Sequence, residues 1–65
     1  MDIIDKLKAR HREEVFDIDV YERLQAEARE KGCHHLTDVL GLVIKDEKSH
    51  RDFLAEYIKE WDKKE

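Results

Sequence analysis

Val43-Ile-Lys-Asp-Glu47-Lys-Ser-His50-Arg-Asp-Phe-Leu54 is the stretch on which the fold turns. Its apolar ends belong to a longer stripe, Leu36, Leu40, Val43, Glu47, His50, Leu54, Tyr57 and Trp61, whose steps alternate between three and four. That spacing marks the inward seam of a packed helix. The first half of the chain carries a matching seam at Ile4, Leu7, His11, Glu14, Ile18, Tyr21, Gln25 and Ala28. The middle of each seam is polar, with His11 and Glu14 in the first and Glu47 and His50 in the second. Buried carboxylates are costly unless they are paired or coordinate a metal. Glu47-x-x-His50 puts a carboxylate and an imidazole on one helix face, one turn apart. The constellation points to a metal held inside a helical bundle.

Working outward, the punctuation defines two helices. Asp2 can cap the first, with Asp5 adding negative charge near its N-terminus. Arg29 and Lys31 suit the negative end of its dipole, and Gly32 is its natural stop in the left-handed conformation. The expected elements are helix 1 over about residues 2–31, a turn over about 32–35, and helix 2 over about 36–63. Gly41 inside helix 2 costs about 1 kcal/mol relative to Ala unless a neighbouring helix approaches closely there. Two helices of similar length joined by a tight turn form an antiparallel hairpin. If helix 2 begins near Cys33, Glu14 and His50 lie equally far from the turn and the polar layers meet at one level.

Composition sets the bounds. A chain of 65 residues is one small domain at most and buries little apolar surface alone. Charged residues make up 46% with mixed signs, which together with the heptads describes long solvated helices rather than disorder. The net charge of -4 argues against nucleic acid or an anionic membrane as partner. The longest apolar run, Val39 to Ile44, is far too short for a membrane span. No signal peptide is visible, so a cytoplasmic location is expected. A single cysteine, Cys33, excludes an intramolecular disulfide framework. Because a hairpin cannot enclose its own seam, a homodimer forming a four-helix bundle is expected. It brings two copies of Glu14, Glu47 and His50 together around a two-fold axis.

These residues resemble half of a ferritin-like di-iron protein, the superfamily that includes bacterioferritin and rubrerythrin. That family uses one Glu from each of two helices and a Glu-x-x-His from each of the other two. Glu14 and Glu47-x-x-His50 match that set, and the 33 residues separating Glu14 from Glu47 are similar to the family spacing. Tyr21 matches a tyrosine often found beside the site. With one helix pair instead of two, the chain is similar to the half-ferritin type, the encapsulated ferritins, whose site exists only between subunits. The resemblance implies an all-α ferritin-like bundle binding two iron ions per dimer. Glu47 would bridge the metals, and Glu14 and His50 would be terminal ligands. It also implies ferroxidase-type oxidation of Fe(II), with Glu14, Glu47 and His50 as catalytic residues, for iron storage or detoxification. Hard oxygen donors with one imidazole per metal suit Fe(II) and Mn(II), and zinc also fits. The resemblance leaves open which metal is native, whether oxygen or peroxide is the oxidant, and whether iron is stored or only oxidised. An encapsulating shell protein is a further implied partner, although Asp62-Lys-Lys-Glu65 shows no targeting tail.

Other residues have narrower readings. His11, one turn before Glu14, is an additional ligand or a buried histidine bonded to a carboxylate. Tyr21 is a core aromatic placed behind the ligands. Cys33, His34 and His35 occupy the turn without a fourth ligand at metal-site spacing, which describes a solvated turn. Glu22 and Glu27 are surface charges. Phe16, Val20 and Leu42 fall outside the stripes and point to a second interface, hence assembly beyond a dimer.

Two alternatives come from other classes. Val20-Tyr-Glu-Arg-Leu24, Gly32 and Leu36-Thr-Asp-Val-Leu40 resemble a ribbon-helix-helix DNA-binding dimer, a regulator or antitoxin. Residues 14–19 would then form a strand. One face of that strand would carry Asp17 and Asp19 toward phosphate. The third reading is a plain helical oligomerisation module in which the polar layer only fixes register.

Overall fold

The computed structural model describes residues 2–64, with the side chains of Asp62 and Lys64 outside the description. It holds two helices and, among the described residues, no strand: α1 spans Ile3–Glu30 and α2 spans His34–Lys64. The molecule measures 50 × 18 × 11 Å. At 1.5 Å per residue, α2 alone would be about 46 Å long, so the chain is one helix long and two helices wide. Residues 14–19, the strand of the ribbon-helix-helix alternative, lie in the middle of α1. That alternative loses its DNA-reading element.

Local chemistry sets the helix ends. Asp2 is extended (φ -72°, ψ 152°) and its Oδ1 accepts from the Ile4 N–H at 3.1 Å, an N-cap. At the other end Gly32 has φ +75°. The Gly32 N–H bonds to the Arg29 carbonyl at 3.1 Å and the Cys33 N–H to the Ala28 carbonyl at 2.9 Å. This pair of bonds is the Schellman motif, which satisfies carbonyls that the last turn would otherwise leave open. The connection is shorter than the expected 32–35. His34 and His35 belong to α2, because the Cys33 carbonyl already accepts from the Thr37 N–H and from its hydroxyl, each at 2.9 Å.

The two helices bury different stripes. In α1 the expected seam faces inward throughout: Ile4, Glu14, Ile18 and Ala28 are buried, and Leu7, His11, Tyr21 and Gln25 half-buried. In α2 five of the eight expected seam residues, Leu40, Val43, Glu47, Leu54 and Trp61, are half-buried, and the inward face also takes in residues beside that seam. Ile44, outside the expected seam, is its buried apolar residue, with Thr37, Gly41, Lys48, Arg51 and Ile58 half-buried beside it. Three residues expected inside, Leu36, His50 and Tyr57, are exposed on the lone hairpin. Phe16, Val20 and Leu42 are exposed as the pattern expects. Val15, Leu24, Val39 and Phe53 are also exposed, Phe53 at 76%. No helix is long and apolar enough to cross a membrane among the described residues.

Cross-helix polar contacts fix the register. Gln25 Nε2 donates to the Thr37 carbonyl at 3.2 Å, and Lys48 pairs with Glu22 at 3.6 Å. A Cβ on Gly41 would stand 3.1 Å from Gln25 Nε2, so glycine there leaves room for the amide.

Two stability measurements test this account. Gly32→Ala should cost about 1 kcal/mol in urea unfolding, because Ala resists the left-handed backbone; an unchanged midpoint would contradict the Schellman turn. Gly41→Ala should gain its full helix-propensity benefit, about 1 kcal/mol, only in a Gln25→Ala background. In the wild type, displacing the Gln25 amide should consume most of that gain. Equal gains in both backgrounds would show that the contact has no energetic weight.

Candidate metal centre

Glu14 sits at the midpoint of α1 on its inward stripe and is 4% exposed. Glu47 and His50, one turn apart on α2, face it across the hairpin. One donor atom from each of the three lies within 4.8 Å of the others. Oxygen and nitrogen donors bind divalent transition ions at about 2.0–2.2 Å, so two donors opposite each other stand about 4.0–4.4 Å apart. Three donors cannot all stand opposite one another, so the group would have to draw closer together to close on one ion.

Burial falls off across the group. Glu14 is buried, Glu47 half-buried and His50 exposed. The two oxygens of Glu14 have different surroundings. Oε1 accepts from Arg10 Nη2 at 3.0 Å. Oε2 is buried without a hydrogen-bond partner among the described residues. A buried charged oxygen left unpaired carries a substantial desolvation cost.

Glu47 shows the strain on the pair. Its pKa is raised above 4.5, first because Glu14 can hydrogen-bond to its protonated form, then through burial and through repulsion from the Glu14 charge. Two ionised carboxylates only accept, so the contact becomes a hydrogen bond when one of them holds a proton. The charge of Asp17 raises the Glu47 pKa further, whereas His50 lowers it.

The remaining candidates stand apart. His11 is half-buried one turn before Glu14 and does not join the three donors. Tyr21 is half-buried on the same stripe, two turns beyond Glu14, and its hydroxyl makes no hydrogen bond to the three donors among the described residues. Cys33, His34 and His35 are exposed at the turn. Arg10 and Asp17 are participants that the heptad pattern passes over. Their signal in the sequence is their spacing: Arg10 is four residues before Glu14 and Asp17 three after it, positions that share its face.

The donor set fits a divalent metal: an unpartnered buried oxygen on Glu14, a second carboxylate whose pKa is raised by its neighbour Glu14, and an imidazole within reach. The chain matches no known protein family, no curated protein and no solved structure.

The raised pKa of Glu47 gives a signed pH dependence. Between the ordinary carboxylate range and the raised value, the folded chain binds more protons than the unfolded one. The contribution is therefore full below about pH 4.5 and is lost as pH rises through the folded value. The groups facing Glu47 are Glu14 and Asp17 from α1 and His50 from its own helix. Metal-free protein should gain stability on acidification across that window relative to Glu47→Gln. Parallel stability profiles of the two proteins would rule out a shared proton.

Proposed function

We propose that two copies of this hairpin pair into a four-helix bundle and bind a pair of divalent metal ions, iron first among them. Each copy supplies Glu14, Glu47 and His50, and the assembly oxidises Fe(II). The observation that carries this reading is the buried Glu14 carboxylate, with Oε2 unpartnered, meeting Glu47 and His50 across the seam. The ferritin-like resemblance of the ligand pattern supplies the chemistry.

Pairing follows from what the lone hairpin leaves open. Leu36, His50 and Tyr57 lie on one stripe of α2, with Val39 and Phe53 at its margin, and all are exposed. Ile4, Ile18, Ala28 and Ile44 are the buried apolar residues among those described, a thin core for two long helices. A second copy laid on the open stripe covers it and brings the exposed His50 into the same interior as Glu14. Four carboxylates then balance the four charges of two divalent ions, so neither partner is buried uncompensated.

The roles of the chain's residues follow from their surroundings. Glu14 and Glu47 offer hard, anionic oxygens once the proton between them is released, so metal uptake should release protons. His50 offers a neutral imidazole nitrogen. The flanking Ile18 and Ile44 are buried and keep water from the inner side of the pair. Iron held there would supply reducing electrons to oxygen or peroxide, with Fe(II) as substrate and ferric ion as product.

Protein purified without chelator should hold about one metal per chain, measured by elemental analysis against the resemblance-based expectation of two per dimer. It should oxidise added Fe(II) faster than buffer does, read as ferric absorbance. Glu14→Ala, Glu47→Ala and His50→Ala should each lose metal and activity while circular dichroism retains the helices. His34→Ala should change neither. A protein that remains monomeric and metal-free would leave a helical oligomerisation module without its oligomer and sink the proposal. A dimer without metal would favour the plain module.

A further inference from the structure

Arg10 occupies an unusual position for a surface arginine. Its side chain is 58% exposed, yet one of its nitrogens reaches the buried Glu14 Oε1 at 3.0 Å. The other reaches Glu13 Oε2 at 2.6 Å, and Glu13 is an exposed carboxylate. The guanidinium thus spans an outer and an inner acid. Glu13 is its closer partner and the leading cause of its raised pKa. Among the described residues no other cation pairs with Glu14 or Glu47.

From this arrangement we propose that Arg10 is the resident counter-ion of Glu14, one that competes with metal for the carboxylate and sets the affinity of the site. The inference rests on the metal-binding function proposed above. In the empty hairpin, Arg10 gives Glu14 Oε1 the partner a buried oxygen requires. A divalent ion on Glu14 brings two positive charges next to the guanidinium, so the two cations oppose each other. Glu13 makes the exchange cheap: Arg10 can withdraw from Glu14 and keep its shorter bond. Glu14 Oε1 therefore has a cation beside it whether or not metal is bound, and the site discriminates against weakly bound cations.

Charge and geometry make opposite demands on a variant. Arg10→Gln removes the competing charge, so metal should bind more tightly. It also removes the partner of Glu14, so the metal-free protein should melt earlier. A merely structural Arg10 would weaken both stability and metal binding. Arg10→Lys keeps the charge and should keep the wild-type affinity. Arg23→Gln, which breaks an exposed pair with Asp19 elsewhere on α1, should leave affinity unchanged.

The test is calorimetric titration of the full chain with Mn(II) at low and high salt, alongside thermal melts of the metal-free proteins. Coulomb repulsion across a screened surface predicts about three- to tenfold tighter binding for Arg10→Gln at low salt, with the gain shrinking as salt rises. If the wild type binds Mn(II) and Arg10→Gln binds no tighter, the counter-ion inference fails and the metal site stands. Tighter binding by Arg10→Lys as well would also overturn it, because charge would not be the cause. If the wild type binds no Mn(II) and no Fe(II), the metal-binding function itself falls, and the inference with it.

Discussion

One carboxylate governs this structure. Glu14 stands in the middle of a seam whose other buried members are apolar, and an ionised oxygen there has lost its water. The folded chain answers with one cation, since Arg10 reaches in from solvent to Oε1 and leaves Oε2 without a partner among the described residues. The cost is passed to the facing acid, whose pKa rises beside Glu14. A module that needed only register would be served by a neutral amide at one seam position, the device known from coiled coils. Two facing carboxylates with an imidazole beside them are an expensive way to specify register and an ordinary way to hold a cation.

The turn decides whether those groups meet. Gly32 in the left-handed region ends α1 and sends the chain straight back through Lys31 to Cys33, with α2 starting at His34. Counted from that turn, Glu14 and the Glu47–His50 pair fall at the same height. Gln25 on the Thr37 carbonyl and Lys48 on Glu22 hold the register between the turn and the site. A slip of one helical turn would move α2 by about 5.4 Å and break up the group of Glu14, Glu47 and His50. The polar layer and the tight turn are therefore one constraint expressed at two places in the sequence.

Much of this was legible before the structure, for identifiable reasons. Heptad spacing found all the buried residues of α1, Ile4, Glu14, Ile18 and Ala28, because a helix packed on one neighbour shows one stripe. Gly32 announced the turn through the only backbone conformation that favours it. In α2 the same rule selected Leu36, Leu40, Val43, Glu47, His50, Leu54, Tyr57 and Trp61; Leu40, Val43, Glu47, Leu54 and Trp61 are half-buried and Leu36, His50 and Tyr57 exposed, and the rule passed over Thr37, Gly41, Ile44 and Ile58 beside them. Sequence periodicity marks the apolar positions of a helix and does not say which of two adjacent stripes meets the covalently attached helix. Arg10 was illegible for another reason: an arginine four residues before a glutamate is ordinary on any charged helix. It gains meaning only once Glu14 is seen to be buried.

Burial falls across the three donors, from Glu14 through Glu47 to His50, so in the proposed dimer metal binding and assembly would be linked. Glu14 is enclosed by its own chain, whereas His50 is exposed until something covers α2. If a second copy supplies that cover, metal and partner each complete what the other needs. Metal neutralises the acids that would otherwise repel across the two-fold axis, and the partner shields the imidazole from competing water. Ligands that favour the same state strengthen each other by equal factors, so metal should tighten the dimer as much as dimerisation tightens the metal. Arg10 then has a role at both ends of that linkage. It holds the carboxylate of an unpaired, empty hairpin in a tolerable state, and it must yield before the loaded dimer is most stable.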